Sequence, residues 1–275
     1  MKKFFIIATM LSQFIIGDEV SADVRIDESG RLHVYGNFCR DQITSSMTDG
    51  MTDRYGDVNG VLIIESSMTA TEVTATDQCL FSGLPIREVI VEQGVQELGK
   101  FWFFGCSGLT RVSISDSVQT IGESCFEKCI FLRKLSFCED SHLTTISERA
   151  FYGCLSLFFL GIPSRVQTIG DSCFKGCVDL REVSFISPSL LTTIPKEAFS
   201  GCRSLISITI PSSVENIGDL CFEGCLWLRF VKVSPYIKNI GDSCFKGCEG
   251  IDLDKILIKL PKSLPTEEHK QCLLL

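Results

Sequence analysis

The sequence predicts a curved α/β solenoid of about eight stacked repeats, each 23–25 residues long, with a parallel sheet on one face and a β-rich cap at its start. Three observations carry this expectation. First, an aromatic position recurs at Phe103, Phe126, Phe151, Phe174, Phe199, Phe222 and Phe245, with Leu80 in the same place ahead of them, at steps of 23, 23, 25, 23, 25, 23 and 23 residues. A fixed period in this range marks one supersecondary unit stacked on copies of itself. Second, every copy repeats the same apolar pattern, written out most fully at Val166–Phe185 as VQTIGDSCFKGCVDLREVSF. Third, no copy holds itself. About six buried side chains at roughly 1.5–3 kcal/mol each do not offset the backbone entropy of some two dozen residues at about 1–2 kcal/mol apiece.

The elements follow from that pattern in chain order. Residues 1–22 have the form of a secretory leader: Lys2 and Lys3, an apolar run from Phe4 to Ile16, then Val20, Ser21 and Ala22 as a small-residue cleavage site. Thirteen residues interrupted by Ser12 and Gln13 are too short to span a bilayer. Residues 23–71 form the N-terminal cap. Val24 to Val34 alternates apolar and polar around Ser29-Gly30 and reads as a β-hairpin; 41–60 reads as loop. Asp53, Asp57, Asn59 and Gly60 faintly suggest a calcium loop, but Tyr55 and Ser66 stand where ligands are required.

Residues 72–256 carry the repeats. In each, a short extended piece (Val166 to Ile169) turns at Gly170 into one helical turn, Ser172 to Cys177, that buries Cys173, Phe174 and Cys177. Leu180, Val183 and Phe185 then lead into a strand with inward residues two apart. The two 25-residue steps place their extra residues after the strand, at 138–142 and 186–190, where they loop out. Residues 257–275 form a C-terminal cap: Asp254 breaks the strand pattern, Ile256, Ile258 and Leu260 resume it, and Pro261 and Pro265 end it.

The lines VQTIGDSCFKGCVDLREVSF, LTTIPKEAFSGCRSLISITIPSS and VENIGDLCFEGCLWLRFVKV resemble the BspA-like (TpLRR-type) leucine-rich repeat, V-x-x-I-G-x-x-A/C-F-x-G-C-x-x-L-x-x-I-x-I-P. The likeness implies a curved leucine-rich repeat solenoid, secreted or at a cell surface, of a kind in which several members are adhesins toward host proteins or other cells. It implies no catalytic residues and no fixed binding motif. Two departures stand out: Leu80 and Gly83 in place of Phe and Cys, and Trp102 at the small Ala/Cys position.

A net charge of −8 argues against a nucleic-acid footprint. No phosphate loop, dinucleotide fingerprint or nucleophile elbow is present, and His33, His142 and His269 are scattered, so neither an enzyme nor a cofactor is expected. Of fifteen cysteines, seven form a file at Cys106, Cys129, Cys154, Cys177, Cys202, Cys225 and Cys248. A second file alternates with Ala150 and Ala198, which indicates small and buried rather than zinc-ligating positions. Disulfides stay open in a secreted chain; Cys39, Cys138 and Cys272 fall outside the repeated positions and are the expected exposed thiols.

The chain ends Cys272-Leu-Leu-Leu, a C-a-a-X form that would call for a prenyl group at Cys272 and hence a cytosolic chain on a membrane. That conflicts with the leader, and Glu267 and Glu268 stand where a basic second signal would be.

The candidate partner surface comes from strand alternation. One outward file is Glu88, Arg111, Lys134, Phe159, Glu182, Ser207, Phe230; its neighbour is Ile90, Ser113, Ser136, Gly161, Ser184, Thr209, Lys232. Arg111, Lys134, Phe158, Phe159, Glu182, Trp227 and Phe230 are the candidate binding residues for a protein or a cell-surface or matrix ligand. Two readings stand for the aromatics: an interface hot spot over a small-residue floor, or isolated surface rings that need no explanation.

Overall fold

The computed structural model describes residues 24–26, 32–34, 61–65, 80–81, 84 and 86–251. The expected leader, the loop around Asp53, the last cap, Cys39 and Cys272 lie outside these residues.

The repeats stack as expected. The strands β4 (Glu88–Val91), β6 (Arg111–Ile114) and β8 (Lys134–Phe137) pair in parallel, as do β10 (Phe159–Ile162), β12 (Glu182–Phe185), β14 (Ser207–Thr209) and β16 (Phe230–Lys232). Their inward residues alternate as read: Val112, Leu160, Val183 and Ile208 are buried, and the residues beside them face out. Phe137 and Phe185, which end the strands of the two longer repeats, are only half-buried.

The short extended pieces make narrower ladders on another side of the coil. One contains β5 (Glu97–Leu98), β7 (Thr120–Ile121), β9 (Thr145–Ile146) and β11 (Thr168–Ile169); the other β13 (Thr193–Ile194), β15 (Asn216–Ile217) and β17 (Asn239–Ile240).

The broad sheet also runs further towards the N-terminus than the repeats alone foretell. The hairpin β1 (Val24–Ile26) and β2 (Leu32–Val34) pairs antiparallel, with Val24 opposite Val34. Then β3 (Val61–Ile64) lies parallel between β2 and β4, with Leu62 beside Val89 and Ile64 beside Val91.

Each ladder has one gap, and a proline stands at each gap. Pro163 stands where Cys138 and Ile186 donate their N–H to the carbonyls of Ile114 and Ile162, and the broad sheet is unpaired between β8 and β10. Pro195 stands where Gly170 and Gly218 donate to Ile146 and Ile194, and the narrow ladder breaks between β11 and β13. A residue without N–H removes one rung at each place; Pro211, at the same place as Pro163, does so without parting β12 from β14.

The helical turn expected at Ser172 to Cys177 is not a helix, and no helix occurs among the described residues. The N–H groups of Ser172, Phe174 and Gly176 donate along the solenoid to the carbonyls of Lys196, Ala198 and Ser200 at 2.9, 2.9 and 2.7 Å. Ser172 at φ 54° and Gly176 at φ 76° are left-handed, which turns alternate peptide groups towards the next repeat. The turn is thus a third inter-repeat ladder, and its buried pattern matches a helical turn only in side-chain spacing.

One register assignment is corrected. Phe81, not Leu80, stacks on Phe103, with centroids 5.0 Å apart. Leu84 then takes the place before Cys106 in the cysteine file. The stack continues through Phe126, Phe151, Phe174, Phe199, Phe222 and Phe245 at 4.9–5.8 Å with interplanar angles of 4–7°.

Candidate interaction face

Strand pairing sets the geometry of the outward file. Glu88 neighbours Arg111, and Arg111 neighbours Lys134; beyond the gap, Phe159, Glu182, Ser207 and Phe230 lie side by side. Phe159 and Phe230 therefore stand three strands apart in one file, about 14 Å at the usual strand spacing. Both are well exposed, at 45% and 68%, with Phe158 at 52% and Trp227 at 58%.

These rings form two apolar groups. Phe131, Leu155, Phe158 and Phe159 lie on neighbouring repeats, and Ile206, Leu226, Trp227 and Phe230 on two others. Asp179, Arg181 and Glu182 separate them, all exposed. Two arginines lie over rings of the face: Arg181 is 5.0 Å from the centroid of Phe158 and Arg229 is 5.7 Å from that of Trp227. Arg111 reaches Glu88 at 3.8 Å, whereas Lys134 and Glu182 project without an ion-pair partner among the described residues.

The sequence reading starts its files at the first strand residue and so, Phe158 apart, misses the one just before it, Arg87, Thr110, Arg133, Phe158, Arg181, Ile206, Arg229. The signal was the same repeat period read one position earlier. Backbone bonds hold this file in order: Thr110 N–H donates to Arg87, Arg133 to Thr110, Arg181 to Phe158, Ile206 to Arg181 and Arg229 to Ile206, at 2.8–3.4 Å.

The cysteines lie away from this face. Of the twelve cysteines among the described residues, eleven are buried and Cys138 is exposed. Each ladder thiol donates to the phenylalanine carbonyl of the preceding repeat. Cys129 to Phe103, Cys154 to Phe126, Cys177 to Phe151 and Cys225 to Phe199 span 3.0–3.4 Å. Burial pushes the Cys177 thiol up to about 12 and those of Cys154 and Cys202 well above the ordinary thiol value. Among the described residues no group of three or more His, Cys, Asp or Glu has a metal-holding arrangement.

The turn ladder carries its own ion pairs. Glu127 is buried and accepts from Arg149 Nη2 at 2.7 Å, Arg149 Nε at 3.0 Å and Ser124 Oγ at 2.7 Å, while Arg149 lies over Tyr152. Lys175 Nζ, hydrogen-bonded to Glu197 at 2.8 Å, holds that carboxyl below its ordinary range.

A stack of strand-and-turn units with inward leucines, a phenylalanine spine and an open sheet face defines a leucine-rich repeat solenoid. The chain belongs to the family of BspA type leucine-rich repeat regions, whose pattern matches residues 63–181 and 139–252 with six copies. Proteins of this family are, in general, surface and protein-interaction modules. A leucine-rich repeat protein from Bacteroides ovatus is similar, at 27% identity and a TM-score of 0.60 over 85% of this chain. The match takes in 57% of that protein, so the chain spans little more than half its length. The Treponema pallidum leucine-rich repeat protein is 22% identical (TM-score 0.49), with 92% of each chain covered. A leucine-rich cell surface protein from Faecalibacterium prausnitzii is 19% identical (TM-score 0.46), with 86% of this chain and 75% of that one covered. No curated protein matches the chain. Among the described residues no helix is long and apolar enough to cross a membrane.

Proposed function

We infer that the protein is a non-enzymatic recognition and adhesion module, secreted or held at a cell surface, that binds a macromolecular partner through the sheet face of its repeats. The observation that carries this reading is the placement of Phe159 and Phe230 in one outward file, each exposed and each beside inward neighbours that already fill the core. Exposed aromatics in two groups, with Gly161, Ser184 and Thr209 at the neighbouring outward positions between them, supply apolar anchors on this face. A span of about 14 Å between the anchors suits a protein or a glycan chain and exceeds what one small metabolite touches.

The second reading, a cytosolic scaffold held on a membrane by a prenyl group at Cys272, is favoured by the terminal Cys-Leu-Leu-Leu alone. Mass spectrometry of the two ends of the protein from its native source separates the two. A mature start at Asp23 supports the first reading; an intact Met1 with lipid on Cys272 replaces it with the second. The face itself is tested by binding of extracellular proteins and glycans to the wild type and to the Phe159→Ser/Phe230→Ser variant. Equal binding by both moves the site off this face.

A further inference from the structure

The file that opens the strands alternates. Arg87, Arg133, Arg181 and Arg229 occupy every second repeat, and Thr110, Phe158 and Ile206 the repeats between. The four arginines are exposed, and none has a carboxylate partner among the described residues. With the adjoining file the stripe holds six basic side chains against two acidic ones, in a chain whose net charge is −8. One of the two acids, Glu88, already faces Arg111. Stacking on Phe158 and Trp227 fixes the heads of Arg181 and Arg229, so less freedom is lost when an anion arrives.

Resting on the sheet-face reading, we propose that the partner is a linear anionic polysaccharide with a carboxylate or sulfate on alternate sugars, lying across the strands along the solenoid. Two strand spacings put successive arginines about 10 Å apart. In an extended chain of equatorially linked pyranose rings, one ring advances about as far as one strand. A charged ring then meets each arginine, and an uncharged ring meets Thr110, Phe158 or Ile206. The guanidinium fork takes a carboxylate or sulfate through two parallel hydrogen bonds, and Phe158 offers its ring to the apolar C–H face of the intervening sugar. An extended acidic peptide does not fit this spacing. At about 3.3 Å per residue the matching charge is three residues on, and odd steps along a strand point to opposite faces. The best polypeptide competitor is an α-helix with glutamates seven apart, whose rise of about 1.5 Å per residue gives the same interval.

The test is titration of the full-length protein with hyaluronan oligosaccharides of increasing length, with chondroitin sulfate, with carboxyl-reduced hyaluronan and with such a glutamate helix. The Arg133→Glu/Arg181→Glu variant runs in parallel, its fold checked by circular dichroism and melting. Expected is salt-sensitive binding of hyaluronan that strengthens with length and levels off near about seven rings, one per strand from Arg87 to Arg229. The charge-reversed variant loses about tenfold or more in affinity, and the carboxyl-reduced polymer does not bind. Binding of hyaluronan shows that a carboxylate on alternate rings suffices; binding of chondroitin sulfate alone, whose sulfate sits on the ring between its carboxylates, overturns the alternating fit. Tighter binding of the glutamate helix, lost in the variant, overturns the polysaccharide and leaves the sheet-face reading intact. Polysaccharide binding that the variant keeps puts the site elsewhere and removes both. No binding of any anionic chain overturns the proposal, and the Phe159/Phe230 variant then judges the face alone.

Discussion

The thiol of Cys202 donates to the carbonyl oxygen of Phe174, 3.3 Å away in the preceding repeat. The same carbonyl accepts the N–H of Cys177 in its own turn, so both its lone pairs are used. Cysteine at this place is small and carries a donor aimed backwards along the solenoid, and alanine keeps only the first of these properties. Replacing Cys177 or Cys202 with Ala is expected to lower stability in urea by about 1 kcal/mol, as a small core truncation with one weak hydrogen bond lost, and to leave partner binding unchanged. Stoichiometric zinc in the purified protein, or loss of binding in either variant, would contradict a packing role.

The same burial gives an alkaline limit. An unfolded cysteine releases its proton near pH 8.5, whereas the folded chain holds that of Cys177 up to about 12. The folded state therefore binds more protons than the unfolded one in this window. Stability from the thiols that burial raises, Cys154, Cys177 and Cys202 among them, is complete below about pH 8.5 and falls as pH rises towards 12, by about 1.4 kcal/mol per pH unit for each. The urea midpoint is expected to be flat up to about pH 8 and to drop with a slope of several protons above pH 9. Alkylation of the native protein at pH 8 should mark Cys138 well before any ladder cysteine; equal labelling would show the ladder thiols to be open to solvent.

Lys128 occupies a left-handed position, φ 60°, where Gly105, Gly153, Gly176, Gly201, Gly224 and Gly247 stand in the other repeats. Left-handed backbone costs a side-chain-bearing residue about 1–2 kcal/mol, partly offset because glycine loses more entropy on folding. Lys128→Gly is expected to stabilise the protein by about 0.5–1 kcal/mol, read as a higher melting temperature. The ammonium group gives up its position over Phe104, 5.2 Å from the ring centroid, a surface interaction of smaller size. An unchanged or lower melting temperature would mean that this interaction outweighs the strain.

The period, the inward residues and the outward file were legible in the sequence because stacking forces every copy to bury the same places. The hydrogen bonds of the Ser172–Cys177 turn were not. Cys173, Phe174 and Cys177 have the spacing of one helical face, and nothing in their side chains says whether Phe174 N–H bonds within the turn or to Ala198 in the next repeat. Phe81 escaped notice because the count of 23 residues pointed to Leu80, and only ring stacking on Phe103 shows the first turn to be one residue short. Strand β3 lacks the turn motif that marks the others, so Val61–Ile64 had no period to announce it. Trp102 fits its small-residue position because Gly99 has no Cβ; one built there would lie 2.2 Å from Trp102 Nε1. Pro163 and Pro195 stand at the two breaks, but Pro211 holds the place of Pro163 where the sheet is continuous, so proline alone did not announce them. The candidate face was legible as alternation, and its arginine file was lost through where the count began.

The aromatic anchors give the sharpest test of the face. Phe159 and Phe230 point outward while Leu160, Ile162, Val231 and Val233 beside them fill the core. Changing both to Ser removes exposed surface and opens no cavity, so stability should stay within about 0.5 kcal/mol. Affinity for a partner on this face should fall by about 1 kcal/mol or more per ring, since a ring in contact loses its desolvated packing against the partner. Glu88→Ala, at the far end of the same line of outward positions and already engaged with Arg111 at 3.8 Å, is the matched control and should change affinity by much less. A double variant that melts like the wild type and binds like it would place the interaction on the turn ladder or the N-terminal strands. One that melts early would mean the rings pack in the folded protein in solution and are not free anchors.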